Sequence, residues 1–274
     1  MQDQDSMTGI DWEDAFQNAT HIPGGAEYPA LWAARAAAFR DRAKAELEIP
    51  YGPAPREKLD LFLPEGTANG LVVFVHGGFW RRLDKSYWSD LAAGPLARGW
   101  AVAMPSYTLA PEARIGQITA QIGTAIGVAA GRIAGPIRLA GHSAGGHLVT
   151  RMICKGAPIA PEVQARIAAV LSISGVHDLR PLRLNSMNAD LRIDAEEAAA
   201  ESPVLLPPLP GVSVTCWTGA DERPEFLRQS ALLAEAWAGK TDMRPPVFVP
   251  GQHHFDVIDG LKDAKAALTT ALLN

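Results

Sequence analysis

Short apolar stretches alternate with longer amphipathic stretches along most of the chain. Several of the short stretches lack polar residues at alternate positions, which is typical of strands buried on both faces. The predicted strands are 58–63, 71–75, 100–104, 137–140, 168–174, 212–217 and 246–249. The predicted helices between them are 86–98, 116–133, 145–155, 225–239 and 259–272. This alternation predicts an α/β fold, with a mostly parallel central sheet and helices on both faces.

A further amphipathic pattern precedes the first predicted strand. Residues 29–48 place apolar side chains on one stripe at helical spacing. The stripe consists of Leu31, Trp32, Ala36, Phe39, Ala43 and Leu47. We expect this segment to form a helix that packs across the main body of the protein.

The 274 residues show no internal repeat, low-complexity tract or long Gly/Ser linker that would separate two domains. We therefore predict a single domain. Residues 1–50 would form an N-terminal tail and the packing helix, and residues 51–274 would form the core that carries the chemistry.

The composition excludes several classes of protein. Hydrophobic residues make up 47% and charged residues 20%, as in globular proteins. The net charge is −5 and no basic run exceeds Arg81–Arg82, so neither nucleic acid nor a membrane surface is an expected partner. The N-terminus lacks a secretory signal and no apolar run could span a membrane, which favours a soluble cytoplasmic protein. The oligomeric state, including a homodimer, stays open.

Only two cysteines occur, Cys154 and Cys216, and the chain has no C-x-x-C motif or His/Cys cluster. This pattern predicts neither a disulfide framework nor a metal site.

Polar residues capable of chemistry follow four of the predicted strands. The carboxyl ends of parallel strands lie at one edge of a sheet, so the loops that follow them converge. The four loops carry HGGFW at 76–80, GHSAG at 141–145, GADE at 219–222 and HHFD at 253–256. A serine, an acid and a histidine appear in this order, which is the chain order of the triad in the α/β-hydrolase fold.

Ser143 is the predicted nucleophile. Small residues on either side permit a sharp strand-to-helix turn that exposes the serine at its tip. A serine hydroxyl is a weak nucleophile, so it needs a histidine as base and a carboxylate that orients the imidazole. The backbone amides of Gly77, Gly78 and Ala144 are the predicted oxyanion donors, because backbone without bulky side chains can approach the oxyanion closely. Together these features predict a serine hydrolase.

Two positions of the triad have two candidates each. His253 and His254 are adjacent, and the spacing alone does not separate them. For the acid, Asp221 is preferred to Glu222, because a shorter side chain near the strand end is the usual donor in this fold. His142, inside the GHSAG turn, is expected to pack beneath the turn rather than act as the base.

Seven segments are shared in pattern with a known family. They are HGGFW, LDKSYW, SYTLAPEARIGQITAQI, GHSAGGHL, SGVHDLRPL, ADERPEFLRQS and HHFDVIDGL. From about residue 50 to the C-terminus the chain resembles the α/β-hydrolase type of kynurenine formamidase (arylformamidase) and, more distantly, the hormone-sensitive-lipase group of esterases. HGG and GHSAGG occur in many esterases, so SGVHDLRPL and DERPEFLRQS are the more telling segments.

The resemblance implies that Ser143 is the nucleophile, Asp221 the triad acid and His254 the base. It also implies catalysis without a metal or organic cofactor, and a place in tryptophan catabolism. Arg223 departs from the family pattern, since formamidases usually carry serine beside the triad acid. It could pair with Glu222 or reshape the pocket for another substrate.

The predicted reaction is hydrolysis of formyl anilides such as N-formylkynurenine to formate and an aromatic amine. The small-molecule pocket is expected to involve His76, Phe79, Trp80, Trp88 and Tyr107, whose rings could stack on an aromatic substrate or could be core residues. The alternative is a short-chain carboxylesterase or thioesterase of the same fold. A remoter alternative is a non-catalytic binding protein on this fold.

Overall fold

The computed structural model describes residues 9–274, and its nine strands form one sheet. The strands are β1 (Ala45–Pro50), β2 (Lys58–Phe62), β3 (Leu71–Val75), β4 (Ala101–Pro105), β5 (Ile137–His142), β6 (Ile167–Ile173), β7 (Ser213–Gly219), β8 (Asp242–Met243) and β9 (Val247–Val249). Their order is β1-β2-β4-β3-β5-β6-β7-β8. Both β8 and β9 pair with β7, β8 with its first residues and β9 with its last. Only β1 with β2 and β2 with β4 pair antiparallel in the described part of the chain. The predicted mostly parallel sheet is thereby confirmed.

Helices connect most of these strands. They are α1 (Trp12–Ala15), α2 (Tyr28–Arg40), α3 (Ala93–Ala97), α4 (Ile115–Arg132), α5 (Ala144–Arg151), α6 (Pro161–Gln164), α7 (Asn188–Leu191), α8 (Ala195–Glu201), α9 (Pro224–Trp237) and α10 (Ala267–Leu273). Single 3₁₀ turns lie at Ala19–His21, Lys85–Tyr87, Ser89–Ala92, Arg180–Leu184, Pro203–Leu205 and Asp259–Lys262. No helix in this range is long and apolar enough to cross a membrane.

The central strands are buried because both faces of the sheet are covered. All five residues of β3 are buried, and successive side chains join opposite cores. Leu71, Val73 and Val75 pack in the core that includes α4, α5 and α9. Val72 and Phe74 pack in the core that includes α2 and α10. Alternation of side-chain direction along a strand thus supplies apolar contacts to two helix layers.

Each of the seven predicted strands has a counterpart in the structure, displaced by at most a few residues. The sequence pattern missed β1 and β8. β1 was assigned to the end of the helix predicted at 29–48, but the helix ends at Arg40 and the following residues pair with β2. This edge strand shows a mostly exposed pattern, so it carries no apolar alternation from which it could be predicted.

The stripe predicted for residues 29–48 is only partly buried. Trp32, Ala36 and Phe39 lie in the interior, whereas Leu31 and Leu47 are each 47% exposed. The predicted helices 86–98 and 259–272 are also shorter than expected, since each begins as 3₁₀ turns and becomes α-helical only in its second half. These differences leave the strand ends unchanged, and the candidate chemistry lies at those ends.

Candidate active site

Ser143 lies at the turn between β5 and α5. Its backbone has φ 57° and ψ −117°, a conformation that non-glycine residues adopt at a cost of about 1–3 kcal/mol. The turn is held by a hydrogen bond from the Ser143 amide to the Ile173 carbonyl at 2.8 Å. Ser143 is 1% exposed, and its Oγ has no hydrogen-bond partner among the described residues. The hydroxyl is therefore available at the tip of a strained turn.

Gly145 allows the turn to approach β3. A Cβ added at this position would lie 1.9 Å from the Val75 carbonyl oxygen, a distance that no side chain tolerates. The glycines of the GHSAGG segment thus serve close backbone packing, which holds the serine turn against the neighbouring strand end.

His254 and Glu222 form a buried pair. Nδ1 of His254 lies 2.6 Å from Oε2 of Glu222, and both side chains are almost fully shielded from solvent. The second carboxylate oxygen, Oε1, accepts hydrogen bonds from the Ser174 hydroxyl at 2.5 Å and the Gly219 amide at 2.8 Å. With both oxygens hydrogen-bonded, the carboxylate is held in place. It accepts a hydrogen bond from the N–H at Nδ1, so Nε2 of His254 is left without a proton as the basic nitrogen.

The structure places Glu222, and not the predicted triad acid Asp221, beside His254. Asp221 is exposed, whereas the side chain of Glu222 folds back over the end of β7 to reach the Gly219 amide. The reason is the turn at 219–222, in which the Glu222 amide bonds to the Gly219 carbonyl at 3.3 Å. The turn directs the fourth residue inward and the third outward, and the longer glutamate side chain spans the remaining gap to His254.

Arg223 does not pair with Glu222, contrary to one of the two sequence interpretations. Its guanidinium instead forms an ion pair with Asp14, in the N-terminal segment that precedes α2. The residue that departs from the family pattern therefore anchors this segment beside the site.

His253 lies apart from the Glu222 carboxylate. Its Nε2 lies 3.2 Å from the Tyr28 hydroxyl, and its amide donates to Asp256 at 2.8 Å. Of the two adjacent histidines, only His254 contacts the buried carboxylate in the described structure.

Four further histidines are enclosed by the fold, and burial lowers the pKa of each. We call His76, His142, His147 and His177 the buried histidines. Desolvation lowers the pKa of His76 and of His147 to about 4 and that of His177 to about 3. It also lowers the pKa of His142 well below its usual value, with a further contribution from His254. These side chains are neutral at neutral pH and serve as fixed hydrogen-bonding groups.

His142 packs against the predicted base. Its Nε2 donates to the His254 carbonyl at 2.9 Å, and the two rings are 4.6 Å apart. His76 shapes the glycine loop, because its Nδ1 donates to the Gly77 carbonyl at 2.7 Å.

The predicted oxyanion donors surround the serine turn. A Cβ on Gly77 would lie 3.0 Å from the Ser143 Cβ, so this backbone passes directly beside the nucleophile. The Gly77 and Gly78 amides donate to no backbone carbonyl of the described residues. The Ala144 amide, at the first position of α5, lies outside the intrahelical hydrogen-bond ladder. The assignment of these three donors stays a prediction, with a geometry that suits it.

A cavity of about 490 Å³ opens beside Ser143 and His254. Of the five predicted pocket residues, Phe79 and Trp88 line it. Trp80 is buried behind the loop with its ring edge-on to His147, and Tyr107 stacks on His76 at 4.4 Å while its hydroxyl donates to the His76 carbonyl. Contrary to the prediction, His76, Trp80 and Tyr107 are not among the residues that line this cavity, and they support the loop from behind.

Sequence reasoning missed one wall of the cavity altogether. Phe16 and Asn18 line it from the N-terminal segment, and Trp32 lines it from α2. It also missed Ser174, which follows β6 and holds the Glu222 carboxylate. No local motif marks any of these residues, because their roles arise from contacts with distant parts of the chain.

A serine at a strained strand-to-helix turn, with a buried histidine–carboxylate pair on the same cavity, is the arrangement of an α/β-hydrolase. Among residues 9–274, no group of three or more histidine, cysteine, aspartate or glutamate side chains is placed to hold a metal ion. The chain is a hydrolase of this fold, and the remote alternative of a non-catalytic binding protein is not retained.

Comparison with known proteins specifies the family. The family model described as BD-FAE matches residues 59–205. Kynurenine formamidase of Salmo salar is 30% identical over 245 residues, which cover 85% of this chain and 83% of that protein. Kynurenine formamidase of Danio rerio is 30% identical over 237 residues, covering 83% and 80%. The chain belongs to the α/β-hydrolase family that includes these kynurenine formamidases, which confirms the resemblance found in the sequence.

A solved structure is similar over nearly the full length. A protein from Silicibacter sp. tm1040, provisionally described as a thioesterase, is 48% identical with a TM-score of 0.90. The match covers 97% of this chain and 100% of that chain.

Proposed function

We propose that this enzyme hydrolyses aromatic formamides of the N-formylkynurenine type through Ser143, His254 and Glu222. The observation that carries the proposal is the buried Glu222–His254 pair, which lies on the same aromatic-lined cavity as the strained serine. The kinship with kynurenine formamidases supports the choice of the acyl group.

In the first half-reaction, the Ser143 Oγ attacks the formyl carbon and its proton passes to Nε2 of His254. The Glu222 carboxylate at 2.6 Å stabilises the imidazolium that results. The amides of Gly77, Gly78 and Ala144 stabilise the oxyanion. The C–N bond then breaks as His254 returns the proton to the departing amine, and a formyl-serine remains.

In the second half-reaction, His254 takes a proton from water as the water attacks the formyl-serine. The ester bond breaks, the proton returns to the Ser143 Oγ, and the product leaves as formic acid, which ionises to formate. Ser143 Oγ has no hydrogen-bond partner in the described structure, and catalytic hydrogen bonds often tighten only when substrate is bound.

The cavity suits a small aromatic substrate. Its volume of about 490 Å³ lies in the range of ordinary small-molecule sites. Its walls include the rings of Phe79, Trp88, Trp32 and Phe255. Flat rings on several sides favour an aryl leaving group over a long flexible acyl chain.

A thioesterase or short-chain carboxylesterase is the second candidate, because the same nucleophile, base and oxyanion donors would serve either reaction. The description of the Silicibacter protein favours it. A cytoplasmic location stays a prediction from the sequence, and sedimentation would decide between a monomer and a homodimer.

The test is a hydrolysis panel of N-formylkynurenine, formanilide, p-nitrophenyl acetate and an acyl thioester. We expect the highest kcat/KM for N-formylkynurenine. We also expect Ser143→Ala to lower kcat by about 10⁴-fold or more and to abolish labelling by a fluorophosphonate. A thioester preferred by tenfold or more would select the second candidate. Activity above a tenth of wild type in Ser143→Ala would remove this serine from the mechanism.

A further inference from the structure

Asn18 is a buried polar side chain without a structural partner. The residue is 6% exposed and lines the cavity that holds Ser143. Its Oδ1 is shielded from solvent and has no hydrogen-bond partner among the described residues. A buried carbonyl oxygen in this state is unfavourable unless another molecule supplies the missing donor.

The usual structural role of asparagine at this position is not used. Asn18 is the N-cap of the 3₁₀ turn Ala19–His21, where asparagine side chains commonly accept a backbone hydrogen bond. Here the side chain makes no capping bond, and only the backbone carbonyl of Asn18 bonds to the His21 amide at 3.0 Å. The side-chain amide therefore has no capping role.

The segment that carries Asn18 is anchored by other residues. Asp14 pairs with Arg223, and the Trp12 carbonyl accepts a hydrogen bond from the Asn185 side chain at 2.7 Å. Glu13 accepts from the Ser186 hydroxyl at 2.8 Å. These contacts fix the segment against the rest of the protein without help from the Asn18 side chain.

We infer that Asn18 is a specificity-determining residue that accepts a hydrogen bond from an amine or ammonium group of the substrate. The inference rests on the proposed function, since it takes the ligand to be an aromatic amine derivative. The unpartnered atom is an acceptor, so its complement is an N–H donor. Two arginines, Arg81 and Arg82, line the cavity together with Glu13, so the recognition of this donor is assigned to Asn18 and not to the net charge of the walls. The chemical class is an aryl formamide whose ring bears an aminoalkyl side chain.

The test compares two ligands that differ in this group. Kynuramine carries the aromatic amine, the ketone and a terminal ammonium, whereas 2-aminoacetophenone lacks the ammonium arm. Isothermal titration calorimetry gives the Kd of each for wild type, Asn18→Leu, Asn18→Asp and the control Thr20→Ala. Thr20 is exposed on the same segment and does not line the cavity. Thermal melting of each variant reports whether the fold is retained.

We expect wild type to bind kynuramine about tenfold more tightly than 2-aminoacetophenone, as a charge-assisted hydrogen bond implies. Asn18→Leu should remove this preference and leave the Kd of 2-aminoacetophenone within about twofold. Asn18→Asp keeps an acceptor, so it should keep the preference, and Thr20→Ala should behave as wild type.

Equal affinity of wild type for both ligands, or no measurable binding of kynuramine, would overturn the inference. So would an equal loss of both affinities in Asn18→Leu, or a preference that persists in this variant. The binding assay requires no turnover, so the two proposals can fail separately. Inactivity towards formamides with the expected Kd pattern would reject the proposed reaction and leave the role of Asn18 intact.

Discussion

Glu222→Gln removes the negative charge beside His254 while keeping the size of the side chain. The carboxylate Oε2 lies 2.6 Å from Nδ1 of His254, and the Glu222 side chain is fully buried. When His254 has taken the serine proton, two opposite charges about 4 Å apart at an effective dielectric constant near 20 attract by roughly 4 kcal/mol. At about 1.4 kcal/mol for each tenfold change in rate, kcat should fall about 10³-fold. An amide N–H directed at Nδ1 also favours the wrong tautomer, which raises the expected loss towards about 10⁴-fold.

Asp221→Asn is the matched control. It removes the same charge from the adjacent residue, which is exposed. We expect its kcat to stay within about threefold of wild type, because an exposed charge acts weakly through solvent. The assay is the initial rate of formamide hydrolysis at saturating substrate, with p-nitrophenyl acetate as a second substrate. Thermal melting establishes that both variants are folded.

The reverse order of the two variants would refute the reasoning. If Asp221→Asn lost more activity than Glu222→Gln, the turn at 219–222 would have to rearrange during catalysis. A loss below about tenfold in folded Glu222→Gln would mean that the buried pair does not stabilise the transition state.

Two predictions concern stability. In α4, a Cβ on Gly127 meets no atom within 4 Å, whereas one on Gly123 would lie 2.0 Å from the Pro158 carbonyl oxygen. Gly127→Ala should therefore raise the free energy of unfolding, measured in urea, by about 0.5–1 kcal/mol. Gly123→Ala should lower this free energy by about 1–3 kcal/mol. Effects of the same sign in the two variants would contradict the prediction. The fold lowers the pKa values of the buried histidines. The stability that depends on their neutral form is therefore fully present when the pH is above the unfolded-state pKa of about 6.5, and it is lost as the pH falls towards the folded-state pKa values. Between about pH 7 and about pH 5 the free energy of unfolding should drop by roughly 2 kcal/mol for each of His76, His147 and His177, and a urea midpoint that does not move would count against their being neutral in the fold.

The sequence alone determined the sheet and the serine turn, because both depend on local chemistry. Runs such as 71–75 and 137–140 are apolar at every position or nearly so, and a strand buried on both faces requires that pattern. Ser143 was identifiable because a tight strand-to-helix turn needs small residues within a few positions of the serine. The order of serine, acid and histidine then followed from reading the loop after each strand.

Tertiary structure alone decided which of two neighbouring residues faces inward. Asp221 and Glu222 are both acids at the end of one strand, and the turn that directs Glu222 to His254 depends on hydrogen bonds to Gly219 and Ser174. Side-chain length, used as the criterion in the sequence, favoured Asp221 because it ignored the direction in which the turn points each side chain.

The same limit applied to the cavity. Phe79 and Trp80 are adjacent and both have positive φ, yet Phe79 lines the cavity while Trp80 is buried behind it. Asn18 and Trp32 reach the cavity from more than a hundred positions before Ser143. The N-terminal segment that carries Asn18 is held by Asn185 and Arg223, whereas Trp32 packs against Trp88 and Phe255. Patterns within a window of neighbouring residues carry information on helices, strands and turns. Contacts between distant segments depend on how those elements pack, so the walls of the site became visible only in the folded chain.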